Sequence, residues 1–247
     1  DMFSALKKDS LDKIATNGDI FKYREGWPLS NLDIIQNNIL VILEGEARLI
    51  GLENNRITTI VKLGKGYSIG LASILRCSPC ENVTASTELV ALSIPDKTIL
   101  DIYKNDNNFK LWCDRNLFPS ELASFIEVLA KGYPNHNLNI KKVFSYFYQS
   151  KKIKCINSDF KNPNKSNNRY YIGSLNIEKK NIGDEINDYS EVKSKPPFTE
   201  RIIEIPKDLL EIFITSKSQS EPENNILNKK EKDNLVIFND ATPVKTN

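Results

Sequence analysis

Short apolar runs alternate with turn residues through the first hundred positions of the chain. The runs cover residues 39–43, 47–52, 57–61 and 88–94, and Gly-Glu, Asn-Asn, Gly-Lys-Gly and Ser-Pro separate them. Runs of this length, rich in Ile, Val and Leu, are typical of an antiparallel sandwich or barrel and not of helices. The pattern predicts a β jelly roll over about residues 19–94, entered through residues 19–26.

Helical spacing flanks this region on both sides. An amphipathic helix is predicted within residues 1–18, ending near Asn17-Gly18, and Leu71 to Leu75 predicts a single helical turn. Pro95-Asp96 opens a helix that runs through Tyr103, with a proline and an acid at its positive end. After a break at Asn105 to Asn108, helical spacing resumes over residues 109–116 and 122–131, and the apolar face of the last helix is expected to pack on the barrel.

The second half of the chain reads as a smaller α+β region. Gly132 to Asn137 is a strong break, so we predict a jelly-roll unit over 1–132, an α+β extension over 133–214 and a linker-like tail over 215–247. The predicted fold class is mainly β with flanking helices. The extension is expected to contain helices over 140–149 and 208–214 and strands over 152–156, 169–172, 182–184 and 201–206.

One stretch of this pattern is specific enough to resemble a known family. Strands, a Leu63-Gly64-Lys65-Gly66 bend, Gly70, a short helix, a loop and a strand ending at Ile94-Pro95-Asp96 follow the order of a cyclic-nucleotide-binding domain. The resemblance implies an eight-stranded jelly roll in which the short helix and the next loop form a phosphate-binding cassette. It covers roughly the first half of the chain.

The cassette departs from the family at the two ligand-binding side chains. Leu71 stands where the family's binding members carry a glutamate for the ribose hydroxyl, and Pro79 stands where they carry the arginine for the cyclic phosphate. We therefore predict a degenerate site with a nucleotide-free role, no cofactor, and dissociation constants for cyclic AMP and cyclic GMP no tighter than about 100 μM. The residues assigned to it are Gly70, Leu71, Ala72, Ser73, Arg76, Glu81, Asn82 and Val83.

Two features of the cassette leave some capacity for an anion. Backbone N–H groups at the start of the short helix favour a negative group. Arg76 is either a substitute cation or a solvated loop arginine, and the second interpretation is favoured.

Composition and charge exclude several classes. The chain has 247 residues, 40% of them hydrophobic, and a net charge of +2, so it holds enough apolar surface for a core without a general pull toward nucleic acid. No apolar run reaches the roughly 20 residues of a membrane span, and no signal peptide is visible, which predicts a cytoplasmic protein. The single histidine, His136, excludes a histidine-rich cupin metal site.

Cysteine spacing gives no further site. Of the four cysteines, Cys77 and Cys80 have C-x-x-C spacing, but no second pair is present to complete a zinc site. We interpret the spacing as a coincidence within a loop. No nucleophile elbow, paired carboxylates or phosphate-binding glycine loop is found, so we predict no enzyme activity within these residues.

The segment 141–171 combines basic and aromatic residues. Seven lysines and one arginine face a single acid, Asp159, among interleaved Phe and Tyr residues. Such segments bind single-stranded nucleic acid or acidic lipid, although a solvated lysine-rich loop is the favoured interpretation. No helix-turn-helix pattern is visible between residues 133 and 175, so sequence-specific DNA binding is not expected.

A second resemblance concerns the arrangement of the whole chain. A barrel with a poor cassette, the strand Arg201 to Pro206 and a linker-like tail resemble the N-terminal cytoplasmic region of bacterial, notably cyanobacterial, ABC exporters of toxins or bacteriocins. This implies a regulatory or docking domain at the inner face of the membrane. Its partners would be the membrane and ATP-binding domains of the same transporter and a small-molecule ligand. The alternatives are a cyclic-nucleotide-responsive transcriptional regulator and a free-standing adaptor.

Overall fold

A computed structural model describes residues 2–53, 56–132, 139–157, 167–215 and 243–246. A 3₁₀ turn over Phe3–Ala5 leads to helix α1, Lys8–Asn17, which ends at Gly18 as predicted. Eight strands and one short helix follow, namely β1 Asp19–Tyr23, β2 Pro28–Ser30, β3 Asn38–Glu44, β4 Ala47–Glu53, β5 Arg56–Leu63, β6 Ser68–Ile69, α2 Leu71–Leu75, β7 Val83–Ala85 and β8 Leu89–Pro95.

The pairing of these strands is that of a jelly roll. Strand β1 pairs with β8, β2 with β7, β3 with β6 and β4 with β5, all antiparallel, while β8 also borders β3 and β7 borders β4. The chain thus folds back on itself and closes two antiparallel sheets around one core. The predicted fold class, mainly β with flanking helices, is confirmed.

Strand β3 is buried on both faces, which explains its continuous apolar sequence. Leu40 and Ile42 belong to the core that the two sheets share, whereas Ile39 and Val41 belong to a second core under the helices. Side chains alternate between the faces of a strand, so both sets are covered only if helices pack outside the sheet. The helical flanks therefore complete the barrel.

Three helices follow β8: α3 Asp96–Asn105, α4 Asn107–Arg115 and α5 Pro119–Lys131. The break between the first two is a single residue, Asp106, whose carboxylate accepts hydrogen bonds from the N–H groups of Asn108 and Phe109. It also accepts from the Ser10 hydroxyl and the Lys7 N–H, so the cap of α4 fixes α1 as well.

The second half continues with α6 Ile140–Ser150, β9 Lys154–Ile156, β10 Asn168–Ile172, β11 Ile202–Pro206 and α7 Lys207–Thr215. The three strands form one antiparallel sheet in the order β10-β11-β9. Phe144, Ile205 and Leu209 lie in the same core cluster as Ile60 and Leu63 of the barrel. This sheet is packed onto the barrel through α5 and α6.

The strand predicted at Ile182 to Asp184 is wrong, because this segment is a turn. Gly183 has φ +94, and a Cβ at that position would lie 2.4 Å from Cγ1 of Val128 on α5. The left-handed backbone and the close approach to a helix both require glycine here. The turn remains attached to β10 through hydrogen bonds between Ile172, Gly183 and Asp184.

The last described residues add a strand that the sequence did not predict. Val244–Thr246, strand β12, pairs antiparallel with the free edge of β1, opposite β8. Three residues of unremarkable composition carry no periodic signal, so the pairing depends on the exposed edge and not on the segment itself. The rest of the predicted tail, residues 216–242 and 247, lies outside the described residues.

Other predictions also fall outside the described residues. They concern His136, most of the break at 132–137, and residues 158–166 of the polar loop. Among the helices that are described, none is long and apolar enough to cross a membrane.

Candidate functional site

The cassette begins with a backbone conformation that only glycine adopts easily. Gly70 has φ +95 at the N-terminal end of α2, and a Cβ there would lie 3.0 Å from the carbonyl oxygen of Asn38. All five residues of α2 are buried. The helix is therefore held inside the molecule, against β3, and its first N–H groups point away from solvent.

Those N–H groups donate hydrogen bonds to a carboxylate of the chain itself. Glu81 Oε2 accepts hydrogen bonds from the N–H of Gly70 at 2.9 Å, from the N–H of Ser73 at 3.2 Å and from the Ser73 hydroxyl at 2.8 Å. Glu81 is 1% exposed. The expectation that free N–H groups favour an external anion here is wrong for Gly70 and Ser73, because an internal carboxylate already accepts from them.

Arg76 is buried, so its interpretation as a solvated loop arginine is wrong. Its exposed fraction is 2%, and its Nε and Nη1 atoms have no hydrogen-bond partner among the described residues. The carbonyl oxygen of Arg76 accepts from the N–H of Leu175 at 2.9 Å. The segment between β10 and β11 thus covers the end of α2, a contact between residues about one hundred positions apart that local sequence does not reveal.

The remaining predicted site residues are packed rather than open to a ligand. Leu71 and Ala72 are completely buried in the core under the helices, where an aliphatic side chain offers no acceptor for a ribose hydroxyl. Val83 lies in the core shared by the two sheets. Asn82 is half-buried, and its carbonyl oxygen accepts from the N–H of Ile50. The structure brings all eight residues together, and the seven other than Asn82 are buried in the interior.

Several polar atoms beside Glu81 lack partners. Glu81 Oε1, the Tyr67 hydroxyl and the Ser120 hydroxyl are buried without a hydrogen bond to a described residue. Burial raises the pKa of Glu81 to about 7, although the hydrogen bonds from Ser73 and Gly70 oppose the shift. Burial also raises the pKa of Tyr67 well above its usual range. This carboxyl group is consequently poised to exchange a proton near neutral pH.

The two cysteines of the cassette, Cys77 and Cys80, are not joined by a disulfide bond. All four cysteines are free. Burial raises the pKa of Cys80 to about 12, and its N–H donates to the Ser73 hydroxyl at 3.1 Å. A thiol with that pKa stays protonated and is a poor nucleophile and ligand. In the described part of the chain, no group of three or more His, Cys, Asp or Glu side chains could hold a metal ion.

A buried ion pair closes the site from the other side. Arg201, 2% exposed, donates from Nε to Glu121 Oε1 at 2.5 Å and from Nη2 to Oε2 at 2.7 Å. Its Nη1 and Nη2 atoms also donate to the carbonyl oxygens of Cys113 and Asn116, at 2.8 and 2.6 Å. The pair joins the start of β11 to the start of α5, next to Ser120.

Sequence reasoning missed the role of this pair. The only local signal was Glu121 in the first turn after Pro119, where its Oε2 also accepts from the N–H of Phe118. Nothing in the sequence indicates that its partner lies eighty residues away. The pairing becomes visible only when β11 is placed beside α5.

No family model matches the chain, and no curated protein matches it. Among solved structures, it is similar to a cyclic nucleotide-binding-like protein from Brucella abortus, with 18% identity, 42% of this chain and 90% of that chain covered, and a TM-score of 0.36. It is also similar to the catabolite activator protein of Thermus thermophilus, with 15% identity, 54% and 60% covered, and a TM-score of 0.39.

A third similar structure is a mutant regulatory subunit of a cAMP-independent protein kinase A from Trypanosoma brucei, bound to cAMP in its A site. Identity is 17%, the cover is 45% of each chain, and the TM-score is 0.37. Each of these TM-scores lies below 0.5, so the likenesses say nothing about what this chain binds.

Proposed function

We propose that this chain is a non-catalytic regulatory or docking module of the cyclic-nucleotide-binding type whose cassette works without a cyclic nucleotide. The observation that carries the proposal is the carboxylate of Glu81, which takes the N–H groups of Gly70 and Ser73. An internal ligand of this kind holds the cassette in one conformation.

The chemistry around the cassette opposes a cyclic phosphate. When ionised, Glu81 repels an anion at α2, and the buried Leu71 offers nothing to a ribose hydroxyl. Arg76 is enclosed beneath the segment that follows β10. Losing one partner of a buried charged hydrogen bond costs roughly 2 to 5 kcal/mol in binding, enough to remove ordinary micromolar affinity.

Calorimetric titration with cyclic AMP and cyclic GMP tests the proposal. We expect dissociation constants no tighter than about 100 μM, equivalent to about 5.5 kcal/mol of binding free energy. Micromolar affinity for either nucleotide would overturn it. In that case the Arg76→Ala variant identifies the cation, because a large loss of affinity would assign the phosphate contact to Arg76.

The finer proposal is that the module is the N-terminal cytoplasmic part of an ABC exporter of toxins or bacteriocins, where it contacts the transporter's membrane and ATP-binding domains. The order of barrel, small sheet and linker-like tail supports it. Sequencing the reading frame beyond Asn247 tests this context. An ATP-binding cassette there would support it, and a stop codon directly after Asn247 would remove it.

The alternative of a DNA-binding regulator makes a different prediction. We expect duplex DNA to bind no better than nonspecifically, because the lysine excess is confined to one segment and no recognition helix was found in the sequence. A fluorescence titration that shows tight binding and discriminates between duplex sequences at physiological salt would favour the regulator instead.

A further inference from the structure

A surface cleft of about 390 Å³ lies between the turn that follows β5 and the helices α5 and α6. Residues 61–67 line one side, and Pro119 and Tyr148 line the other. A smaller hollow of about 190 Å³ shares Gly66, Tyr67, Pro119 and Tyr148 and extends toward Trp112. The cleft opens to solvent, whereas the cassette lies inside the molecule.

The cleft collects positive charge from two distant parts of the chain. Lys62 and Lys65 line the strand side. On the helix side, Tyr148 lines the cleft, and Nζ of Lys151 lies 4.3 Å from the centre of the Tyr148 ring in a cation–π contact. Phe144 stacks on Tyr148 at 5.4 Å and holds this ring in place.

Negative charge is scarce at the same place. No acidic side chain is among the described residues that line the cleft. Lys62 pairs with the exposed Glu46 at 3.0 Å, outside the lining, while Lys65 forms no ion pair with any described residue. The three ammonium groups therefore exceed the neighbouring acid by about two charges, which favours a ligand with more than one negative charge.

We propose that this cleft binds phosphate groups of a ligand with two or more negative charges, held by Lys62 and Lys65 in the lining, with Lys151 beside Tyr148 as the third cation. Its volume suits a molecule of the size of a nucleoside diphosphate. The proposal gives a role to Tyr148 and Lys151 of the basic and aromatic segment, and it does not use the cassette. The phosphates belong either to a soluble molecule or to a lipid headgroup.

Titration of the whole chain with pyrophosphate, adenosine diphosphate and adenosine tests the proposal at about 50 and about 150 mM salt. Pyrophosphate and the diphosphate should bind with one-to-one saturation, more weakly at the higher salt, and adenosine should not bind. A parallel titration with phosphatidylcholine vesicles containing about 10% phosphatidylinositol phosphate separates the lipid source from the soluble one.

Two double variants make the assignment specific. Lys65→Ala with Lys151→Ala should weaken binding by about tenfold or more, as expected when two cationic contacts are lost. Lys141→Ala with Lys142→Ala removes the same charge from the exposed face of α6, outside the lining, and should leave affinity within about twofold. Thermal unfolding of each variant checks that it is folded.

Either of two results would overturn the proposal. The first is that neither pyrophosphate, nor the diphosphate, nor the vesicles bind saturably at the lower salt, up to about 5 mM phosphate groups. A dissociation constant weaker than about 5 mM would be too weak for a specific site. The second is an equal loss in both double variants, which would indicate general attraction to a lysine-rich surface.

Discussion

Two buried arginines of this molecule have opposite surroundings. Arg201 and Arg76 are each 2% exposed. Arg201 donates four hydrogen bonds, two of them to the carboxylate of Glu121 and two to backbone carbonyls. Arg76 sits at the end of α2 with Nε and Nη1 unpartnered among the described residues.

Arg201 is a buried charge whose hydrogen bonds are satisfied, whereas Arg76 is a buried charge with unsatisfied donors. A buried charge is tolerated when geometry and hydrogen bonds compensate its desolvation, as at Arg201. Unpartnered buried donors carry the full cost of leaving water, as at Arg76. We infer that Arg201 holds the small sheet onto the barrel and that Arg76 contributes little or nothing to stability.

The largest expected effect on stability comes from breaking the ion pair between Glu121 and Arg201. Glu121→Ala leaves Arg201 buried without its counter-charge, so we expect a loss of about 3 to 5 kcal/mol in the free energy of unfolding. Urea denaturation followed by circular dichroism measures it. Glu88→Ala breaks the exposed pair with Lys22 and serves as the matched control, with little change expected.

A double variant checks the physical reason. Glu121→Leu combined with Arg201→Met removes both charges, and it should cost clearly less than Glu121→Ala because no uncompensated charge remains. If Glu121→Ala lowers the free energy of unfolding by less than about 1 kcal/mol, the ion pair does not hold the small sheet onto the barrel.

The sequence predicted more of the barrel than of the candidate site. Short apolar runs separated by turn residues predicted β3, β4, β5 and β8, and the boundaries of α2 agree with the prediction residue for residue. These are local signals, fixed by which faces are buried. The burial of Arg76, the pairing of Arg201 and the strand at Val244–Thr246 depend on contacts across the chain, which local periodicity does not encode.

The second-largest expected effect is the pH dependence of stability that the ionisation of Glu81 produces. Its native pKa of about 7 lies above its ordinary 4.5, so the native state holds this proton more tightly than the unfolded chain. The contribution of Glu81 to the free energy of unfolding is therefore most favourable below pH 4.5, and it is lost as the pH rises through 7. The shift corresponds to about 3 kcal/mol.

Urea unfolding at pH 5, 6, 7 and 8 measures that loss. Glu81→Gln stays neutral over the whole range and keeps an oxygen that can accept from Gly70 and Ser73, so its stability should lack this decline. If the wild-type chain and the variant show the same dependence on pH, Glu81 is not the group that titrates.

The smallest effect concerns Arg76. Replacing it with methionine keeps an unbranched side chain of comparable reach and removes the unpartnered donors, so we expect unchanged stability or a gain of up to about 2 kcal/mol. The same substitution at Arg201 should destabilise strongly and is the matched control. A loss above about 2 kcal/mol in Arg76→Met would mean that its guanidinium has a partner in solution.

An NMR titration of Glu81 tests the self-occupied cassette most directly. We predict that the Glu81 carboxyl carbon titrates with a midpoint near pH 7, and that the amide signals of Gly70 and Ser73 shift with the same midpoint because both N–H groups donate to that carboxylate. Cyclic AMP at about 10 μM should leave these signals in place, because a dissociation constant no tighter than about 100 μM keeps occupancy at or below about one tenth. A Glu81 midpoint near its ordinary 4.5, with amides that do not follow it, would show that the carboxylate does not occupy the cassette.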